Sequence, residues 1–191
     1  MEFQHVNAKL FVEGSEAALE PLVPVFHRWI KEEPFEELLL DVADYRHVHD
    51  GPGVMVIGHE ADYSLDDTDG RLGILYNRKS TLAGTNQDRL KQAVHAALTA
   101  CRKLEEDEKY KGHIHFPGKE IQIFLNDRFI APNNAATRAA FEPELKTFCG
   151  KLFGGAGYST RYEENSRKRF AVTLSLSQPI STDQLLKNLS S

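Results

Sequence analysis

Apolar residues recur with two different periods along the chain, and the period separates strands from helices. Alternation over residues 8–12 predicts a strand, whereas apolar residues at helical spacing over 22–30 predict a helix that Pro34 ends. Trp29 lies in this helical stripe. Because a tryptophan in such a stripe is most often a core residue, we expect Trp29 to be buried.

Three strands are predicted next, over residues 38–48, 54–59 and 71–78, and together they form an antiparallel meander. A long helix follows, and Thr85 with Asp88 forms a capping box at its start. The apolar pattern then predicts strands over 113–116 and 120–124, and a helix that ends before the glycines at 154, 155 and 157. A hairpin of 158–163 with 170–176 and a last helix over 182–189 follow.

A seven-residue pattern occurs twice, once in residues 15–21 and again in residues 137–143. Each copy has a small hydroxyl residue, any residue, two alanines, an apolar residue, glutamate and proline. Such recurrence indicates an internal duplication. We therefore predict an α+β protein of tandem duplicated βαββ(α) units, with the ferredoxin-like plait strand order, an antiparallel sheet and helices packed on one face. The first unit spans 1–117 and the second, shortened unit 118–191; the alternative is one fused domain.

Composition narrows the classes of partner. The 191 residues carry a net charge of -5, and the N-terminal 50 residues hold eleven acids against four lysines and arginines. Residues 119–191 hold seven acids against ten lysines and arginines, so the two halves could attract each other or matching subunits. An acidic total argues against a nucleic-acid partner.

No secretory signal or membrane-length apolar run is evident, so we expect a cytoplasmic protein without a membrane partner. Cys101 and Cys149 both lie on apolar helix faces, where a thiol behaves as a small hydrophobe. Neither a disulfide framework nor a thiolate metal site is expected from two such cysteines.

The densest polar group lies on the first predicted hairpin. If the strands pair so that Asp44 faces His59, the carboxylate would fix the imidazole tautomer and raise its basicity, as a general base requires. Tyr45 is the third candidate catalytic residue. This group predicts, as an alternative function, a small cytoplasmic hydrolase or isomerase.

Four further residues of this hairpin are candidates for ligand binding: His47, His49, Asp62 and Tyr63. His47 and His49 stand two apart on a strand and point to one face, but no third metal ligand is within reach. The same spacing at His113 and His115 also lacks a partner set. We therefore expect no metal and no cofactor.

Catalytic motifs are absent from the chain, whereas unpaired edge strands and opposite charge in its two halves favour association. The leading hypothesis is a binding or assembly protein. It would take a small-molecule ligand in a groove between the duplicated halves, or would self-associate as a homo-oligomer.

Overall fold

The structure is a computed structural model that describes residues 1–14, 18–48 and 51–190. Eight strands and four α-helices lie in these ranges. In chain order they are β1 (Val6–Phe11), α1 (Leu22–Glu32), β2 (Leu39–Asp44), β3 (Val54–Gly58), β4 (Ala61–Asp66), β5 (Gly73–Arg78), α2 (Asn86–Glu106), β6 (Glu120–Leu125), α3 (Ala135–Leu152), β7 (Tyr158–Tyr162), β8 (Phe170–Leu176) and α4 (Thr182–Ser190). No helix in the described ranges combines the length and the apolarity that crossing a bilayer demands.

All eight strands belong to one sheet, in the order β2-β3-β4-β5-β1-β6-β8-β7. Every neighbouring pair is antiparallel, so the prediction of an α+β fold with an antiparallel sheet is confirmed. Strands β2 to β5 form a meander, and β1 joins this meander to β6, β8 and β7. Because β1 pairs with β6, residues 1–117 and 118–191 contribute to the same sheet.

Helices pack on one face of this sheet. The strand register places Tyr63 and Phe170 on the same face, with Trp29 of α1 against Tyr63 and Phe141 of α3 against Phe170. Helix α2 crosses β1 and β5, and α4 packs on α2 and α3. Apolar residues that alternate along the strands therefore meet the apolar stripes of the helices, and the main core lies between these two layers.

Two local predictions are confirmed. Thr85 caps α2 by accepting from the backbone N–H of Asp88, while the Asp88 carboxylate accepts from the N–H of Thr85. Trp29 is only 3% exposed, and its ring contacts those of Phe26, Phe35 and Tyr63.

The prediction of a three-stranded meander is wrong, because β4 lies between its second and third strands. All six residues of β4 are buried, including its polar ones. Asp62 forms an ion pair with Lys79 at 2.7 Å, and Asp66 pairs with Lys9. Buried, partnered polar residues alternate with apolar ones along this strand.

Two other predicted strands differ from the observed elements. The segment 113–116 is not a strand, since the N–H groups of His113 and Ile114 both donate to the carbonyl of Tyr110 and so close a turn after α2. Strand β2 ends at Asp44 rather than at residue 48, because the chain turns there and the N–H of Val48 donates to the carbonyl of Tyr45.

The repeated seven-residue pattern occupies different places relative to its two helices. Residues 15–17, where the first copy begins, lie outside the described residues; α1 begins at Leu22, with Pro21 at its N-cap. Pro143, the end of the second copy, lies inside α3. The positions of the two copies relative to α1 and α3 confirm neither the duplication nor the ferredoxin-like strand order, and both remain predictions.

Trp29→Ala should lower the free energy of unfolding by about 3–5 kcal/mol, because it removes a buried ring and leaves a cavity among three aromatic side chains. Urea unfolding followed by circular dichroism measures this loss. Trp29→Phe fills most of the space and should cost less. A loss below about 1 kcal/mol for the alanine variant would contradict the packing of α1 on the sheet.

Candidate functional site

A cavity of about 600 Å³ lies on the helix side of the sheet, between the α1–β2 connection, strand β4 and helix α2. Phe35, Glu37, Tyr63, Gln92 and His95 are among the residues that line it. Its volume falls in the range of roughly 300–1,000 Å³ that small-molecule sites occupy. The cavity is therefore the first candidate for a functional site.

Glu37 is the central polar residue of this cavity, and its side chain is only 6% exposed. The hydroxyl of Tyr63 donates to its Oε2 at 2.9 Å, and the hydroxyl of Tyr76 donates to its Oε1 at 2.8 Å. The amide of Gln92 donates to Oε1 at 2.8 Å, and a guanidinium nitrogen of Arg78 lies 3.9 Å from the same oxygen. A carboxylate offers about four acceptor positions, and donors from the described residues fill two positions on Oε1 and one on Oε2.

Local chain geometry explains how Glu37 reaches this position. Helix α1 stops at Glu33, whose φ of 47° is left-handed and whose N–H donates to the carbonyl of Trp29. Pro34 follows and cannot continue the helix. Phe35 then stacks on Tyr63 with ring centroids 4.6 Å apart, which anchors the chain against β4 two residues before Glu37.

The two tyrosines meet because β4 and β5 pair in a register that sets Tyr63 directly opposite Tyr76. Both side chains lie on the helix-covered face, and their ring centroids are 5.1 Å apart. Gln92, from α2, donates to the Tyr76 hydroxyl at 2.6 Å as well as to Glu37. Three separate elements, β4, β5 and α2, thus converge on one carboxylate.

Burial raises the pKa of Tyr63 and Tyr76, and the negative charge of Glu37 raises both further. Both phenols therefore stay protonated at neutral pH and act as hydrogen-bond donors to Glu37. A tyrosinate that could serve as base or nucleophile is disfavoured at this site.

Charge around the cavity is predominantly acidic. Glu33, Glu36, Glu37 and Asp88 line it against a single lysine, Lys91. Hydrogen bonds from the backbone and hydroxyl of Thr85 lower the pKa of Asp88, so this carboxylate is ionised at neutral pH. The cavity therefore favours a positively charged group.

The three residues predicted to be catalytic do not come together. The predicted register is wrong, because Asp44 lies opposite Val54 rather than His59. The hairpin closes at Tyr45, whose N–H donates to the carbonyl of Gly53, whereas the predicted register continues the first strand to residue 48. The predicted pairing of Asp44 with His59 is therefore absent from the structure.

Each of these three side chains is exposed. The guanidinium of Arg46 donates to Asp44 at 2.6 Å, and its hydrogen bonds lower the pKa of Asp44 to about 2. The imidazole of His59 is 71% exposed and lies 3.0 Å from Glu60, while Tyr45 is 39% exposed.

The four residues predicted to bind a ligand have different locations. Tyr63 lines the cavity, whereas Asp62, its neighbour in β4, points to the opposite face and pairs with Lys79. His47 lies in the exposed turn after β2, and His49 lies outside the described residues. Among the described residues no group of three or more histidine, cysteine, aspartate or glutamate side chains is placed to hold a metal ion.

Glu37, Tyr76 and Gln92 were missed by the sequence analysis. Tyr76 becomes part of the site only through its pairing with Tyr63, on a strand that was not predicted. Glu37 follows Glu36 and precedes Leu38 in the sequence. Such acidic neighbours are as typical of an exposed loop as of a buried site.

Comparisons with models of protein families, with curated proteins and with solved structures found no match. The contacts and charges of the cavity are therefore the basis for assigning it a role.

The free energy of unfolding should fall as pH rises above about 10, by about 1.4 kcal/mol per pH unit for each of Tyr63 and Tyr76. The pKa of each phenol is raised in the fold, so the unfolded chain loses these protons first. Their stabilisation is complete below the unfolded value of about 10 and is lost above it. Urea unfolding between pH 8 and 11 measures the slope.

Tyr63→Phe should reduce the fall of the free energy of unfolding with pH, because one of the two buried phenols no longer contributes to it. The matched control is Tyr45→Phe, which removes an exposed phenol and should keep the wild-type slope. An equal slope in wild type and Tyr63→Phe would contradict the burial of Tyr63 beside Glu37.

Proposed function

We propose that this protein binds a small organic cation in the cavity beside Glu37. The observation that supports this proposal is a buried carboxylate in the cavity wall with one acceptor position on Oε2 that no donor among the described residues fills. A protonated amine or a guanidinium could donate to that position. Hydrogen bonds to charged groups contribute about 1.5–3 kcal/mol, enough to select such a ligand over a neutral analogue.

The charge of the lining supports a cation over an anion. Four carboxylates and one lysine line the opening, and Arg78 forms an ion pair with one of these carboxylates, Glu37. Lys91, the lysine, lies on the exposed side of α2. A negative cavity raises the local concentration of positively charged ligands and repels negatively charged ones.

The aromatic wall supports a ligand with an apolar portion. Phe35 and Tyr63 stack on each other, and both line the cavity. An aromatic or aliphatic group could pack on these rings, and the ring faces attract a cation as well. Primary amines that carry an aromatic ring combine both features and are suitable probes.

Binding is favoured over the alternative of a hydrolase or isomerase. That alternative rests on a carboxylate–imidazole pair at Asp44 and His59, and the observed register separates these residues. In the cavity itself, the raised pKa of Tyr63 and of Tyr76 keeps both hydroxyls as donors. These groups can orient a ligand, and neither is suited to remove a proton from it.

A duplicated design remains part of the proposal, with support from the strand order. On one side of the central β1–β6 pair the order is β1-β5-β4, and on the other side it is β6-β8-β7. In the first half β1 pairs with β5, the strand before α2, and in the second half β6 pairs with β8, the strand before α4. The run β6-β1-β5-β4 also matches a ferredoxin-like plait order with β2 and β3 inserted. The cavity lies in the first half, and only Ser190 of α4 comes from the second.

Benzylamine should bind the wild-type protein, and benzyl alcohol, which lacks the charge, should bind at least about tenfold more weakly. Glu37→Gln keeps the shape of the side chain and should weaken benzylamine binding by about tenfold or more. Lys91→Gln removes the opposing charge and should strengthen binding. Isothermal titration calorimetry measures all three effects.

The matched control for these variants is Asp44→Asn, which removes an exposed carboxylate from the first hairpin and should leave benzylamine affinity unchanged. Equal affinity for the amine and the alcohol, or unchanged amine binding in Glu37→Gln, would contradict the proposed site.

Self-association through β2 is a second candidate function, favoured by the exposed edge of the sheet. Strand β2 pairs only with β3 among the described strands, so its other edge is open. Leu38 and Leu40 are each 53% exposed beside this edge, and Val48 is 44% exposed in the turn that follows. An open edge with apolar neighbours favours pairing with a second copy of the chain.

If β2 pairs between two copies, Leu40→Lys should shift the protein toward monomer, because a lysine at a strand edge opposes edge pairing. Light scattering coupled to size-exclusion chromatography measures the change. Ile130→Lys is the control, since Ile130 is a 40% exposed apolar residue away from the β2 edge. A monomeric wild-type protein at high concentration would exclude this assembly.

A further inference from the structure

A second cavity, of about 240 Å³, lies on the face of the sheet opposite the helices. Its floor includes Lys9, Gln122 and Phe124, which the register of β1 and β6 places on this opposite face. The turn between β7 and β8 and the loop after β6 form its sides. The lining contains five cationic and three acidic side chains, a local charge of about +2 in a chain whose net charge is -5.

The two lysines of this cavity are already neutralised. The ammonium group of Lys9 lies 2.5 Å from the Asp66 carboxylate, and both side chains are at most 5% exposed. Lys168 lies 3.4 Å from Asp69 and 3.7 Å from Glu163. The excess positive charge therefore belongs to the arginines.

Three arginines, Arg128, Arg167 and Arg169, line the cavity without a carboxylate partner. Across residues 1–14, 18–48 and 51–190, no acidic side chain forms an ion pair with any of them. Within the described part of the chain, the guanidinium of Arg169 makes one side-chain hydrogen bond, a long contact of 3.5 Å to the amide oxygen of Asn126. Burial lowers the pKa of Arg169, the Asp66 carboxylate raises it in part, and the neighbouring Arg128 lowers it further.

Hydrogen bonds hold the two sides of this cavity together before any ligand binds. Asn133 donates from its side-chain amide to the carbonyls of Glu163 and Asn165, which ties the segment before α3 to the β7–β8 turn. Asp127 accepts from the backbone N–H groups of Phe129 and Ile130 and so orders the loop that carries Arg128. A preorganised cluster of arginines reduces the entropy lost on binding.

We infer that this cavity binds a small phosphate monoester, held by the guanidinium groups of Arg128, Arg167 and Arg169. A phosphate monoester carries about -1.5 to -2 charges at pH 7, which matches the local charge of about +2. Guanidinium groups donate to phosphate oxygens in bidentate geometry. This site lies on the other face of the sheet from Glu37 and does not depend on the proposed function.

The remainder of the lining indicates what the ester group would contact. Phe124, Leu75 and Ala171 form an apolar wall, and the guanidinium carbon of Arg169 lies 5.0 Å from the ring centroid of Phe124. The volume far exceeds the roughly 30 Å³ of one water, so a small organic group fits beside the phosphate. Gln122 offers an amide for a further hydrogen bond to the ligand.

Isothermal titration calorimetry with inorganic phosphate and with glycerol 3-phosphate tests the inference. Wild type should bind both probes, more weakly at higher salt because the attraction is screened. Arg169→Gln and Arg128→Gln should each raise the dissociation constant about tenfold or more. Arg128 is exposed, so its variant keeps the test valid if Arg169→Gln fails to fold. Absence of binding by wild type would overturn the inference.

Arg102→Gln is the matched control, because Arg102 is a partly exposed arginine on α2 with one weak ion pair to Asp183. This variant should bind phosphate as wild type does. If it lost as much phosphate affinity as Arg128→Gln or Arg169→Gln, the proposed site would be overturned. Phe129, 95% exposed next to Arg128, supplies a second comparison. Binding only to vesicles that contain phosphatidylserine, abolished by Phe129→Ser, would assign the cluster to a lipid headgroup and contradict a small-molecule ligand.

Discussion

The buried carboxylate of Glu37 is the constraint on which the helix side of the structure depends. A buried carboxylate without donors costs several kcal/mol, so its hydrogen bonds fix where the surrounding elements must lie. Tyr63, Tyr76 and Gln92 supply those donors from β4, β5 and α2. The α1–β2 connection is thereby held against the sheet, and the cavity is the space left beside it.

The two faces of the sheet carry cavities of opposite charge, and the origin of this difference is visible in the chain. The N-terminal 50 residues are rich in acids, and Glu33, Glu36 and Glu37 of the first cavity come from this segment. Residues 119–191 are rich in lysine and arginine, and Arg128 and Arg169 come from there. Strand pairing of β1 with β6 brings the two segments into one sheet while the cavities stay on separate faces.

Sequence patterns predicted the helices well and the candidate site poorly. The Thr85 cap and the burial of Trp29 follow from local signals of few residues, and both are confirmed. The site depends on β4, whose buried polar residues find partners that are distant in sequence. The first hairpin also closes at Tyr45 rather than at residue 48, so its predicted register is wrong. Long-range partners leave no local signal, so Glu37 and Tyr76 were not predicted, whereas Tyr63, a predicted ligand-binding residue, lines the cavity.

Nuclear magnetic resonance spectra recorded during a benzylamine titration test the central claim most directly, because they locate the ligand. The account predicts that the side-chain amide of Gln92 and the backbone amide of Ala96 shift in wild type and that these shifts are lost in Glu37→Gln. Ala171, on the opposite face, should not respond. Shifts confined to residues outside the cavity, or shifts that persist unchanged in Glu37→Gln, would contradict the account.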